Sequence, residues 1–277
     1  MPFSPRLVVF YTEVFRSEFC PRIWWAIGNV LSEAGLPAGV LNVIFHRPED
    51  AAQVTSALIE HPAIKKINFT GSTMVGRIIS SQAGKNLKPV LMELGGKASA
   101  IVCADADLQK AAVQCALGAF LNSGQICMSS ERVLVDKSIK PQFLEAFKGA
   151  VEGIFGGDKP APITVVSAAI EKNKKLISDA VTKGAKVVHG DHEKEELHPE
   201  TQEPSSTRMR PVIVEGVKQG MDLYYTESFG PSVSLIEFET EEEAIQIAND
   251  TEYGLSGAVF TENLGRGLRI AKQIETG

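Results

Sequence analysis

The chain has 277 residues, 44% of them apolar and 22% charged, an ordinary globular composition long enough for two modest domains with separate cores. A formal net charge of −6 argues against a nucleic-acid surface, which needs a basic stripe to displace counterions. Phosphate groups on a small cofactor remain open, because helix N-termini and backbone N–H groups bind them without net charge.

Four cysteines (Cys20, Cys103, Cys115, Cys127) are too few and too scattered for a disulfide framework, and none form a C-x-x-C pair. No basic segment followed by an apolar run and a small-residue cleavage site opens the chain, and its longest apolar stretches are strand-sized. The expectation is a reducing, cytosol-like compartment with no membrane span. Asn68-Phe-Thr70 and Asn249-Asp-Thr251 then read as chance matches to the glycosylation pattern.

Residues 6–10 read as a strand. Residues 40–45 and 64–70 are short β-branched runs separated by a helical pattern over 48–60. A helix from Thr73 leads to strand-like 89–94, and 98–103 reads as a further strand. Residues 108–121 form an amphipathic helix behind the possible caps Asp105 and Asp107. Strand 132–135, helices 140–151 and 170–183 and strand 186–188 follow. Strand 232–238, helix 241–248, strand 257–261 and a helix from Asn263 complete the run. This alternation predicts α/β architecture with largely parallel sheets.

Two seams are expected. One is Glu93-Leu-Gly-Gly-Lys97, where paired glycines follow a strand, and the other is the polar stretch 191–210, an exposed loop or hairpin. His189, His192 and His198, in or just before that stretch, have no regular element to fix a metal geometry and read as solvated.

Four segments carry chemistry. In Asn122-Ser-Gly-Gln-Ile-Cys127, a cysteine follows a helix amid glycine and small polar residues, where backbone N–H groups could lower a thiol pKa and hold an oxyanion. An isolated cysteine is ordinarily a small buried hydrophobe, and Cys20, Cys103 and Cys115 fit that description. Glu93 ends an apolar strand ahead of Gly95 and Gly96, where partial burial would suit a general base. In Phe69-Thr-Gly71-Ser72-Thr-Met-Val-Gly76 a strand passes through a glycine turn into a helix, the design for holding a pyrophosphate on a helix N-terminus; a capped helix is the plain alternative. Glu227-Ser-Phe229-Gly-Pro231 could fix a sugar hydroxyl and pack a ring, or form a surface turn.

Taken together, these segments resemble the aldehyde dehydrogenase superfamily in order and spacing over residues 17–277. Asn249-Asp-Thr-Glu-Tyr-Gly-Leu255 and Ile274-Glu-Thr-Gly277 match its later signatures. The resemblance implies part of a Rossmann-like cofactor domain over 1–94 and an α/β catalytic domain over 95–277. It implies Cys127 as nucleophile and Glu93 as the base that activates water. Gly71 and Ser72 would contact the cofactor pyrophosphate, Glu227 the nicotinamide ribose, and Phe229 would pack near the nicotinamide. Glu18 matches the acidic position that holds the adenosine ribose hydroxyls, so NAD is expected over NADP. The wording around Cys127 is most similar to the salicylaldehyde and vanillin dehydrogenase branch, which implies a small aromatic aldehyde as substrate.

The chain departs from the family in length, and truncation at both ends is the expectation. The family's second oxyanion donor, an asparagine, has no stand-in here, and its lysine before the Ser-Glu pair aligns with Phe15. The family forms homo-oligomers, but the arm that pairs its subunits finds no counterpart. A catalytically weak or silent remnant that binds nucleotide or a partner subunit is therefore the alternative expectation. An unrelated cysteine hydrolase would leave 69–76 and 227–231 unexplained.

Overall fold

The computed structural model describes residues 11–16 and 21–277. Glu18, Cys20 and the strand expected at 6–10 lie outside the described residues. The chain divides into two compact units after Leu94.

In the first unit, β1 (Tyr11–Arg16) and β2 (Leu41–His46) pair in parallel, with α1 (Pro21–Glu33) between them in the chain. A single 3₁₀ turn, Pro48–Asp50, opens α2 (Ala51–Glu60), since proline's fixed φ suits the first helical position. Next, β3 (Ile67–Thr70) and β4 (Val90–Glu93) pair in parallel around α3 (Thr73–Lys85). The three- and four-residue spacing of Gly76, Ile79 and Ala83 turns one face of α3 inward. Ile79 and Ala83 join Ile59 in a small core, closed by Ile67, Phe69, Val75 and Met92. α1, absent from the sequence-based reading, leaves Ile23, Trp25 and Val30 exposed.

The second unit begins with β5 (Ala98–Val102), α4 (Leu108–Phe120), β6 (Ser130–Asp136), α5 (Lys140–Phe155) and α6 (Ser167–Thr182). β7 (Lys186–His189), β8 (Val212–Glu215), the short α7 (Asp222–Tyr225) and β9 (Ser232–Phe238) follow. α8 (Glu241–Asn249), β10 (Gly257–Phe260) and α9 (Leu264–Ala271) complete it. Its six strands run in the order β10-β5-β6-β9-β8-β7, and every neighbouring pair is parallel except β7 with β8.

The two-residue period of a strand explains the two cores. Ala100, Val102, Val133, Val135, Ile213, Val233 and Leu235 pack with α4 and α5 on one face. Ile101, Leu134, Val212, Val214 and Ile236, the alternate residues, pack with α6 and α8 on the other. A parallel sheet covered on both faces needs apolar residues at successive positions, and β5 and β6 supply them. α4 approaches closely because its buried face is mostly alanine (Ala111, Ala112, Ala116, Ala119), and Asp107 caps it by accepting the Lys110 N–H at 3.1 Å.

The stretch 191–210 makes two antiparallel bridges, Leu197 with Pro204 inside it and Arg208 with Ile163 outside it, and belongs to the second unit. β8 and α7, four residues each, were not anticipated. No helix among the described residues is long and apolar enough to cross a membrane, and among them no three His, Cys, Asp or Glu gather as a metal site.

Phe147 is fully buried, with its ring stacked on those of Phe120 and Phe143. Phe147→Ala should destabilise the second unit by about 3–5 kcal/mol, read as a lowered urea midpoint at unchanged slope.

Candidate active site

In the first unit the expected phosphate turn and the expected base are neighbours. Thr70 pairs with Glu93 across β3 and β4, and the Gly71 N–H donates to the Glu93 carbonyl at 3.0 Å. Both therefore sit at the carboxyl ends of parallel strands, where open α/β sheets bind ligands. Ser72 is the N-cap of α3, its hydroxyl accepting the Val75 N–H at 3.4 Å. A Cβ on Gly71 would lie 2.6 Å from the Phe69 ring, which accounts for glycine there. Glu93 itself is exposed, contrary to the partial burial expected from sequence. The reason is that β4 pairs with β3 in a two-stranded sheet and turns inward mainly at Met92.

In the second unit three of the four segments meet at the opposite kind of edge. Lys97, Ser129 and Pro231 immediately precede β5, β6 and β9, adjacent strands of the sheet, so Gly95–Lys97, Cys127 and Glu227–Pro231 cluster at amino ends. The glycines make the convergence possible. A Cβ on Gly96 would fall 2.3 Å from the Cys127 carbonyl oxygen, and one on Gly95 would fall 2.4 Å from Glu227 Oε2. One on Gly124 would fall 2.2 Å from the Gly230 carbonyl oxygen.

Cys127 lies in a half-buried turn between a 3₁₀ segment and β6. That segment is wound left-handed at Asn122, Ser123 and Gly124, with φ of 52°, 59° and 70°. For the two non-glycine residues such winding costs about 1–2 kcal/mol each. Hydrogen bonds hold it: Ser123 Oγ donates to the Ile163 carbonyl at 2.7 Å, and Gln125 Oε1 accepts the Val165 N–H at 2.9 Å. Among the described residues the Cys127 N–H has no acceptor, which leaves it able to donate to an oxyanion. Cys103 and Cys115 are buried in the core, and burial pushes their thiols up to about 11 and about 12, respectively.

Glu227 is half-buried, its Oε1 accepting the Gly96 N–H at 2.9 Å. Burial raises its pKa above the ordinary carboxylate value, and the nearby Glu131 adds to the rise; the Gly96 N–H, Lys172 and Lys97 oppose it. Phe229 is 39% exposed and left-handed at φ 47°.

Sequence reasoning missed the residues that hold this cluster from beneath. Lys97 and Glu131 form a buried pair at 2.6 Å. Burial lowers the Lys97 pKa, with Glu131 opposing. Arg132 is also buried, donating to the carbonyls of Lys97 (3.1 Å), Ile247 (2.8 Å) and Ala248 (2.8 Å), so it ties β6 to the end of α8. Asn173 on α6 reaches the Ser228 carbonyl at 3.1 Å and accepts the Ser232 hydroxyl at 2.6 Å. Lys97 closes the Glu93-Leu-Gly-Gly-Lys97 motif, and the signal for the others was a charged or amide residue in an otherwise apolar strand or helix face. An open groove of about 670 Å³ beside α6, lined by Ser167, Glu171, Lys172, Lys175, Asp222 and Thr226, does not include Cys127, Glu227 or Phe229 among its walls.

The later signatures also meet. Asn249 Oδ1 accepts the Glu275 N–H at 2.9 Å, and its amide donates to the Gln273 carbonyl at 2.8 Å.

Gly96→Ala should cost about 1–3 kcal/mol, because backbone rather than a flexible side chain blocks the new methyl. Gly149→Ala, in α5 with open space around it, should instead gain about 0.5–1 kcal/mol in the same denaturation assay. Because the folded-state pKa of Glu227 is raised, native stability falls as pH climbs from its unfolded value through its folded one. Glu227→Gln keeps an acceptor for Gly96 but cannot ionise. Its stability relative to the parent should therefore rise across that window and level off above it, as thermal melts at stepped pH would reveal.

The chain matches the aldehyde dehydrogenase family over residues 14–277. It is 42% identical to vanillin dehydrogenase of Pseudomonas fluorescens over 94% of this chain and 53% of that protein. Among solved structures, salicylaldehyde dehydrogenase from Pseudomonas putida G7 complexed with salicylaldehyde superposes with a TM-score of 0.86 at 41% identity. That likeness covers 96% of this chain and 54% of the other. An indole-3-acetaldehyde dehydrogenase complexed with NAD⁺ superposes with a TM-score of 0.82 at 37% identity, covering 91% and 50%. The chain thus spans about half the length of the relatives it matches. With that family's match running across both units, and with a mixed α/β fold of mostly parallel strands shared with its solved members, the chain belongs to the aldehyde dehydrogenase family.

Proposed function

We propose that this chain carries the chemistry of an NAD-dependent aldehyde dehydrogenase that oxidises an aromatic aldehyde to its carboxylic acid, with Cys127 as nucleophile and Glu93 as general base. The observation that carries this reading is the packing of the Cys127 carbonyl and the Glu227 carboxylate onto the bare backbone of Gly95 and Gly96. It gathers a thiol, an available N–H and a ribose-type carboxylate within one unit, and Glu93 precedes Gly95 by two residues in the chain.

The Cys127 thiolate attacks the aldehyde carbon and forms a tetrahedral thiohemiacetal, whose oxyanion the Cys127 N–H stabilises. Bound NAD supplies the acceptor for the hydride that this carbon loses. Collapse leaves a thioester on Cys127. Glu93, exposed at the end of β4, takes a proton from water, the water oxygen adds to the thioester carbonyl, and the acid departs as the thiolate is restored. A carboxylate at this position supplies the base that hydrolysis of the thioester needs.

The residues fit the cofactor. The Gly71–Ser72 turn opens the 13-residue helix α3 with first-turn N–H groups suited to pyrophosphate. Glu227 would take the nicotinamide ribose hydroxyls in place of, or beside, the Gly96 N–H, and Phe229 would pack near the ring. Glu18 at the adenosine ribose would favour NAD over NADP. On this reading residues 1–94 are the cofactor-binding part and 95–277 the catalytic part. The vanillin and salicylaldehyde dehydrogenases among the relatives support an aromatic substrate.

NADH absorbance with benzaldehyde-type and aliphatic aldehydes tests the reading on the 277-residue chain. A burst near one NADH per chain is expected, and Cys127→Ala should abolish it. Glu93→Gln should keep the burst and slow steady turnover by about 10²–10⁴-fold. Absence of both burst and turnover in the unsubstituted chain would remove the proposal.

A further inference from the structure

Four residues beyond Cys127, β6 carries a carboxylate that the proposed chemistry does not use. Glu131 is 4% exposed. Its Oε1 accepts the N–H groups of Ser228 (2.8 Å) and Phe229 (2.9 Å) and the Ser228 hydroxyl (3.0 Å). Its Oε2 accepts the Ser228 N–H (2.7 Å) and the Lys97 ammonium (2.6 Å). Lys97 in turn donates to the Thr226 carbonyl at 2.8 Å. The pair therefore grips the backbone on both sides of Glu227: the carbonyl before it and the two N–H groups after it.

Consecutive N–H groups converging on one anion form a backbone nest, and here a side chain of the protein fills it. The arrangement compensates the left-handed conformation of Phe229, which few non-glycine residues adopt unaided. From the other side Asn173 holds the Ser228 carbonyl. Glu227 and Phe229 thus project from a backbone anchored to β6, the strand that Cys127 leads into.

We propose that Glu131, neutralised by Lys97, is a positioning residue for the nicotinamide-ribose end of the cofactor, acting through the Ser228 and Phe229 N–H groups. The proposal rests on the reading of Glu227 and Phe229 given above. A buried ion pair adds little net stability over a well-packed apolar pair, so what it fixes in place is the better account of its presence.

Glu131→Gln removes the charge at nearly constant shape, and Lys97→Met with Glu131→Met replaces the pair by apolar residues. Three readouts are taken on the 277-residue chain: NAD binding by calorimetry with KM for NAD, amide exchange at Ser228 and Phe229, and Cys127 alkylation by iodoacetamide. Weakening one charge-assisted hydrogen bond should raise the NAD Kd and KM about tenfold or more and speed exchange at both amides similarly. Cys127 alkylation should stay unchanged. The double variant should keep the weakened NAD affinity even where its melting temperature returns to that of the parent.

Recovery of NAD affinity along with melting temperature would reduce Glu131 to a purely structural role and overturn the proposal. So would unchanged exchange at Ser228 and Phe229 in Glu131→Gln. An unsubstituted chain that binds no NAD, with exchange still accelerated in Glu131→Gln, would locate the failure in the reading of Glu227 and take the cofactor role of Glu131 with it.

Discussion

The arrangement in the second unit depends on empty space. Gly95 and Gly96 present backbone where any other residue would present a Cβ, and two groups from distant parts of the chain occupy that space: the Glu227 carboxylate and the Cys127 carbonyl. A methyl on Gly96 would meet the Cys127 carbonyl oxygen, a backbone atom, at 2.3 Å, whereas one on Gly95 would displace the Glu227 carboxylate at 2.4 Å. Gly124 repeats the device one step away, seating the turn before Cys127 on the Gly230 carbonyl. Short side chains therefore set the geometry, and the reactive ones follow from it.

Close backbone approach leaves polar groups out of water, and each must find a partner. The loop from Thr226 to Ser232 finds its partners in Lys97, Glu131 and Asn173, all buried. Arg132 does the same for the carbonyls at the end of α8. Desolvating these charges is costly, and the mutual satisfaction of the network offsets that cost only while every member is present. This is the physical difference between the two faces of the sheet, which are apolar and tolerant, and its amino edge, which is polar and fully specified.

That difference also explains what could be read from sequence. The alternation of strand-like and helix-like segments is a local pattern, and the α/β architecture with largely parallel sheets followed from it. Cys127, Glu93, the Gly71 turn and Glu227 stand out as candidates because each sits in a short motif whose glycines advertise close contacts. Glu131 and Asn173 sit in no motif, and nothing in a single chain reveals that a carboxylate at position 131 faces two N–H groups at 228 and 229. β8, which directly follows the polar stretch 191–210, and α1, whose apolar residues Ile23, Trp25 and Val30 stay exposed, were not read from the sequence. The exposure of Glu93 was misjudged for a related reason: a strand's neighbours, not its own residues, decide what covers it.

The two ends of strands serve different purposes here. At the carboxyl ends of β3 and β4, the Gly71 turn and Glu93 are exposed, and the helix that begins at Thr73 offers N–H groups to an anion. At the amino ends of β5, β6 and β9, the incoming loops cannot lean on a helix terminus, so charge is handled by side chains instead. A carboxylate is the natural filling for a loop rich in inward N–H groups, and a lysine is the natural neutraliser once that carboxylate is buried. Lys97 directly follows the glycine pair, so the residues that open the space and the residue that closes the charge balance are consecutive in the chain. The glycine pair that admits the Cys127 carbonyl and the lysine that neutralises the carboxylate holding Ser228 and Phe229 therefore belong to one short run of chain ahead of β5.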